Sequence, residues 1–87
     1  PNVITPNGDG QNDFFYTHFA AIYDDVNLTV FNRWGIVVYE SIGYQNDWNG
    51  VNSNGNPLSE GTYYFFLTFD EGKEKNQGIL QIIINSK

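Results

Sequence analysis

The four residues Asn32-Arg33-Trp34-Gly35 constrain the fold of this chain more than any others. They separate Val26–Phe31 from Ile36–Tyr39, two runs rich in β-branched and aromatic residues. Such side chains suit a pleated, half-buried surface better than a helix. A short connection between two such runs, ending in the residue that takes φ > 0 at no steric cost, predicts a β-hairpin.

The rest of the chain continues in the same style. Helical periodicity is hard to find. Phe14–Tyr23 is apolar at nearly every position and ends in Asp24-Asp25, so it reads as a strand followed by a short connection. The other apolar runs are short and bounded by Gly, Asn, Asp and Pro, the residues of turns. Strands are expected near Asn2–Thr5, Phe14–Thr17, Asn27–Asn32, Val37–Ser41, Gly61–Asp70 and Gln77–Ile84, with room for a short one near Ile22. Gly43–Glu60 reads as successive turns, and Glu71-Gly72-Lys73 as the hairpin turn joining the last two long strands. Six to seven strands with turn signals between them predict an all-β fold, a single antiparallel β-sandwich of immunoglobulin-like type.

Alternation assigns the inner face. Leu28 and Val30 share it, as do Tyr63, Phe65, Leu67 and Phe69 on one strand and Leu80, Ile82 and Ile84 on another. The outward positions are less regular, because Tyr64, Phe66, Ile79 and Ile83 are apolar where a two-layer sandwich meets water. They are either ordinary surface hydrophobes partly covered by loops or an apolar docking strip. The sequence leaves both open.

Bulk properties narrow the function classes. Eighty-seven residues make one domain with a thin core, and seven Phe, six Tyr and two Trp supply the large rings that enlarge it. With no Cys there is neither a disulfide framework nor a Cys-based metal site. A net charge of −6 with four basic residues argues against neutralising a nucleic-acid backbone. No apolar run is long enough to cross a bilayer as a helix.

Candidate chemistry is sparse. In Asn7-Gly8-Asp9-Gly10-Gln11-Asn12-Asp13, the residues Asn7, Asp9 and Asp13 have part of the oxygen spacing of a calcium loop, with Gly10 at its sharp turn. Thr5 and Tyr16 occupy the positions where the first ligand and the closing acid belong, and two carboxylates are few for a dedicated site, so an Asx-turn-rich strand-entry loop is the preferred reading of the segment. His18, the only His, lies in an apolar run without an evident nucleophile. Asp24-Asp25 and Glu71/Glu74 read as solvated turns, and no Gly-rich loop carries a phosphate-binding Lys. These patterns predict a non-enzyme with no required cofactor. Trp34 and Trp48 could form a sugar-stacking platform with Tyr39 or Tyr44, or each could cap one end of the core with its indole N–H on a turn carbonyl. Arg33 could lie over one of these rings or pair with Asp47.

Four ordered segments resemble one family. Phe31-Asn32-Arg33-Trp34-Gly35, with Val37-Val38-Tyr39-Glu40 behind it, resembles the "FNRWG–V–E" core of the type B C-terminal sorting domain of the Bacteroidota type IX secretion system, also called the gliding-motility-associated C-terminal domain. Ile4-Thr5-Pro6-Asn7-Gly8-Asp9-Gly10-Gln11-Asn12-Asp13 resembles its opening "FTPNGDGxND". Asp47-Trp48-Asn49-Gly50 resembles its "WDG" turn, with Asn49 for the usual Asp, and Leu58-Ser59-Glu60-Gly61-Thr62-Tyr63-Tyr64 resembles "LPxGTYYY". The last ten residues end differently from the usual "G–V–L–R". The resemblance implies that residues 1–87 are one sorting domain from the end of a much larger secreted or surface adhesin-type protein. It implies export through periplasm and outer membrane to the cell surface or beyond. It also implies type IX translocon components and a PorP/SprF-like outer-membrane protein as partners. Recognition is then expected to centre on the final strand, read as an open sheet edge, together with the outward residues Phe66, Ile79 and Ile83 as the partner-binding positions. Pro6, Asn7, Gly8, Asp9, Gly10, Asn12, Asp13, Asn32, Arg33, Trp34, Gly35, Trp48, Gly50 and Gly61 are expected to be structural motif positions. The alternatives are a carbohydrate-binding module, which needs Trp34 and Trp48 exposed and coplanar, and a calcium-stabilised β-sandwich adhesin module.

Overall fold

The computed structural model describes residues 2–8, 10 and 12–84. Five strands and one helical turn are formed: β1 (Asn2–Ile4), α1 (His18–Ile22), β2 (Asn27–Phe31), β3 (Val37–Ile42), β4 (Gly61–Phe69) and β5 (Glu74–Ile82). The strands make one sheet in the order β1-β5-β4-β2-β3. Neighbours are antiparallel, apart from β1, which runs parallel to β5 with Asn2 opposite Leu80 and Ile4 opposite Ile82. The hairpin expected at Asn32–Gly35 joins β2 to β3, and a β-bulge between Val30 and Phe31 sharpens its twist.

The all-β two-layer class expected from the sequence holds, with five strands in place of six to seven. The second layer is built from residues 12–26, which include α1, and from the irregular chain of residues 43–60, laid over the inner face of the sheet. Phe15, Tyr44 and Trp48 from that layer are buried together with Leu28, Val30, Phe65, Leu67 and Leu80 from the sheet. Phe14–Thr17 does not join the sheet, because its hydrogen bonds go to the other covering segment. The Phe15 amide donates to the Trp48 carbonyl at 2.9 Å, and the Thr17 amide to Asn46 Oδ1 at 2.9 Å. The short strand allowed near Ile22 is instead α1, whose first turn is capped by Thr17 Oγ1 accepting from the Phe19 amide at 3.4 Å. Phe19 and Tyr23 then lay their rings on Phe69, with centroids 4.4 and 5.0 Å away.

The expected inner face is confirmed at Leu28, Val30, Tyr63, Phe65, Leu67, Phe69, Leu80 and Ile82, all buried. Ile84 departs from it. The chain leaves the sheet after Ile82, the Ile84 amide turns to Glu60 Oε1 at 2.8 Å, and the side chain is exposed. The final strand is also not an edge, since β1 pairs with it at Leu80–Ile82 and β4 along its whole length. A parallel partner from the N-terminal segment carries no local sequence signal.

The β4–β5 connection spans Asp70 to Lys73, and two of its non-glycine residues, Asp70 and Glu71, have φ of 55° and 59°. That left-handed geometry is held from outside the hairpin. The Asp25 carboxylate accepts from the Glu71 amide at 2.6 Å and from the Asp70 amide at 3.2 Å. The Glu71 bond above all holds the Asp25 carboxyl below its usual range. A depressed carboxylate pKa means that the stabilisation is present above the unfolded-state pKa and is lost as pH falls through the folded one. Asp25→Ala is therefore expected to lower the Tm at pH 7. Its gap to the wild type should close as the pH drops below about 4, the range in which an ordinary Asp protonates. A gap that stays constant from pH 7 to pH 3 would show that the amides are not what Asp25 serves.

Candidate functional site

The four motif segments fold into two clusters. In the first, the Ile4–Asp13 segment meets Asp47–Gly50. Asp13 closes the loop by accepting from the Gly8 amide (3.0 Å, Oδ1) and the Gly10 amide (2.8 Å, Oδ2), while the Thr5 amide donates to the Asn12 carbonyl at 2.8 Å. Both Asp13 oxygens thus serve the backbone of its own loop. Asp9, the middle member of the calcium candidates, lies outside the described residues. A Cβ on buried Gly50 would come within 3.4 Å of Pro6 Cγ and 3.5 Å of Ile4 Cδ1, so the absence of a side chain there lets the two segments touch.

Trp48 anchors this cluster. It is 1% exposed, its Nε1 donates to the Val51 carbonyl at 2.7 Å, and its ring stacks on Tyr39 at 5.4 Å. The Tyr44 hydroxyl donates to the Phe15 carbonyl and accepts from the Trp48 amide at 3.1 Å. One phenol therefore joins both covering segments, and burial pushes its pKa well above the ordinary tyrosine value. Trp34, by contrast, is 74% exposed. The platform of two exposed coplanar Trp rings does not form, because one ring is core and the other lies at a hairpin tip.

The second cluster joins Asn32–Gly35 to Leu58–Tyr63 around a groove of about 310 Å³. Asn32 shapes the tip. Its Oδ1 accepts from the Trp34 amide at 2.9 Å and the Ile36 amide at 3.1 Å, and the Gly35 amide returns to the Asn32 carbonyl at 2.9 Å. Gly35 has φ +80°, as a turn ending in Gly requires. The Arg33 guanidinium lies 5.3 Å from the Trp34 ring centre, which settles its role as a cation–π partner of that ring. On the opposite wall the Tyr63 hydroxyl donates to the Ser59 carbonyl at 2.8 Å, and Gly61 begins β4. An exposed Arg–Trp pair beside a groove is the residue combination that dominates protein–protein contacts.

The outward residues form a third feature. Cross-strand register puts Ile79, Tyr64, Phe31 and Val37 in one row across β5, β4, β2 and β3. Phe66 lies next to that row, opposite Thr29 and Gln77. Ile83 is exposed but lies past the end of β5, so of the three expected partner-binding residues the fold brings Phe66 and Ile79 together and sets Ile83 apart. His18 is an exposed first residue of α1 with its ring against Phe19.

Two groups escaped sequence reasoning. Asn52 repeats the geometry of Asn32, its Oδ1 accepting from the Asn54 and Asn56 amides at 2.9 and 3.0 Å and its carbonyl from the Gly55 amide at 2.9 Å. The signal was present as Asn-x-x-Gly at both places. Tyr44 had no such signal, because its two backbone partners are distant in one case and a covering loop in the other.

Residues 1–82 match the model of the CHU_C type IX secretion signal domain family. The chain belongs to that family. No curated protein matches it. Among solved structures it is similar to PorZ, an essential bacterial surface component of the type-IX secretion system of human oral-microbiomic Porphyromonas gingivalis. The two share 16% identity with a TM-score of 0.54, over 68% of this chain and 8% of the PorZ chain. This chain thus spans a small fraction of PorZ, and the likeness is one of fold. Within the type IX secretion signal domain, the two motif clusters are neighbouring parts of one structure: the first fastens the covering layer, and the second exposes Arg33 and Trp34.

Proposed function

We propose that this domain directs an attached cargo through the type IX machinery, across the outer membrane and on to the cell surface or the medium, by protein–protein recognition. Family membership over residues 1–82 carries the reading. The fold likeness to a segment of PorZ, itself a surface component of that system, fits it. In this reading a PorP/SprF-like outer-membrane barrel is the receptor, the folded domain is what it reads, and the outer-face residues Phe66 and Ile79 with Ile83 are candidate contacts. No cofactor takes part.

The test is a reporter with a signal peptide at its start and this domain at its end, expressed with the PorP/SprF-like partner in type IX-competent and translocon-null cells. Reporter is expected in medium or on the surface of competent cells and in the periplasm of null cells. Equal periplasmic retention in both strains would overturn the proposal.

A further inference from the structure

The two edges of the sheet differ in kind. On one side β1 covers only Leu80–Ile82, and the uncovered start of β5 carries Glu74 and Lys75. Charges and short strands are the usual protection of an edge against pairing. On the other side β3 runs for six residues with Glu40 as its one charge, Val37 and Ile42 exposed, and no Lys or Pro. Ile42 is 90% exposed. The chain itself uses the start of this edge, since the Val38 carbonyl accepts from the Ser53 amide at 3.0 Å and Ser53 Oγ at 3.3 Å. Peptide groups along a strand alternate sides, so those of Glu40 and Ile42 face the same open side as Val38. Among the described residues, neither Glu40 nor Ile42 makes a backbone hydrogen bond outside the sheet ladder.

The outer face beside this edge is also distinct in charge. It holds two adjoining shallow depressions of about 630 and 560 Å³ that share Phe66 as a wall. Glu40 is the only charged side chain lining either of them. Among the described residues of this acidic protein, no acid other than Glu40 lines these depressions.

We infer that the β3 edge and the outer face beside it form a docking site for an extended strand of a partner protein, with apolar side chains at alternate positions and a basic residue opposite Glu40. Backbone donors and acceptors at Glu40 and Ile42 supply the pairing, and the depression between β3 and Phe66, lined by Glu40, Ile42, Thr29 and Thr68, takes the side chains that the added strand turns to that face. The charge pattern selects against a second copy of this chain, which would set two Glu40-bearing edges of a −6 protein side by side. The site rests on the export reading only in placing that partner within the secretion machinery.

The experiment reads the edge directly. Amide hydrogen exchange of the isolated domain is measured alone and with a synthetic peptide, Val-Thr-Val-Thr-Lys-Thr-Val-Thr, at millimolar concentration, in which Lys and the Val residues share one face. Exchange at Glu40 and Ile42 is expected to slow by at least about tenfold on adding peptide, while Ser41, already in the ladder, changes little. Glu40→Lys should lose this protection and regain it with a peptide carrying Glu in place of Lys. Protection that follows the charge swap supports the assignment; unchanged exchange at both amides overturns it. Protection that instead rises with domain concentration in the absence of peptide would make the edge a self-pairing one and overturn the partner strand. In the secretion reporter, Glu40→Lys is expected to lower export several-fold while the domain stays folded, and normal export of that variant would also overturn the docking role. Periplasmic retention of the unaltered reporter would count against the export reading alone, since the peptide measurement judges the edge by itself.

Discussion

Trp48→Ala is expected to leave little folded domain at 37 °C. Truncating a buried Trp to Ala costs about 3–5 kcal/mol from lost transfer energy and the cavity left behind. A domain this small has a total stability on the order of 5–10 kcal/mol. Trp48 also holds chain that has no strand ladder of its own. Its indole N–H fixes the Val51 carbonyl, its carbonyl receives the Phe15 amide, and its amide donates to the Tyr44 hydroxyl. Losing the ring loosens both covering segments at once, so the Tm should fall by at least about 12 °C. Tyr44→Phe probes the same joint without a cavity. It leaves the Phe15 carbonyl and the Trp48 amide without their shared partner, at about 1–3 kcal/mol for each buried group. Thermal unfolding of both variants and of their combination gives the coupling. A Tyr44→Phe domain as stable as the wild type would show that the covering layer is held by ring packing alone.

Gly78→Val should destabilise strongly, although Val is the better strand residue by propensity. A Cβ at position 78 would lie 2.9 Å from Cε2 and Cζ of Phe65, the residue directly opposite on β4. The Phe65 ring is buried and has the Phe15 ring 4.9 Å away, so moving it aside disturbs that ring contact. Overpacking of this kind costs about 1–3 kcal/mol, with the two extra methyls of Val toward the upper end. Gly78→Ala should show a smaller loss, and adding Phe65→Leu should recover part of it by opening the space the ring held. Denaturant midpoints of the two single variants and the pair decide the matter. A stabilised Gly78→Val protein would mean that propensity outweighs the ring contact.

Local pattern carried most of the sheet. Runs of β-branched and aromatic residues between Gly, Asn and Asp marked the five strands to within about three residues, and period-two alternation named the buried faces of β2, β4 and β5, because strand geometry depends on near neighbours in sequence. The turn at Asn32–Gly35 was legible for the same reason, since Asn32 Oδ1 and Gly35 act within five residues. The family motifs were legible as words, but their meaning in space was not: nothing in the order of the segments says that Pro6 meets Gly50 or that Trp34 and Tyr63 share a groove.

What only the tertiary structure decided is everything that depends on pairing across distance. Phe14–Thr17 looks like a strand by composition, yet its amides are taken by Asn46 and Trp48, so it became cover over the sheet. Trp34 and Trp48 are the same residue in similar turn-rich surroundings, and the fold buried one and exposed the other according to which had Tyr39 and Tyr44 to pack on. The final strand reads as a free edge until the parallel partner Asn2–Ile4 arrives from the opposite end of the chain, and that pairing moves the open edge to β3. A sequence by itself determines which backbone a segment favours and which side chains must leave water. Which segment supplies the partner is set by the competition among all of them for one core and one set of sheet edges.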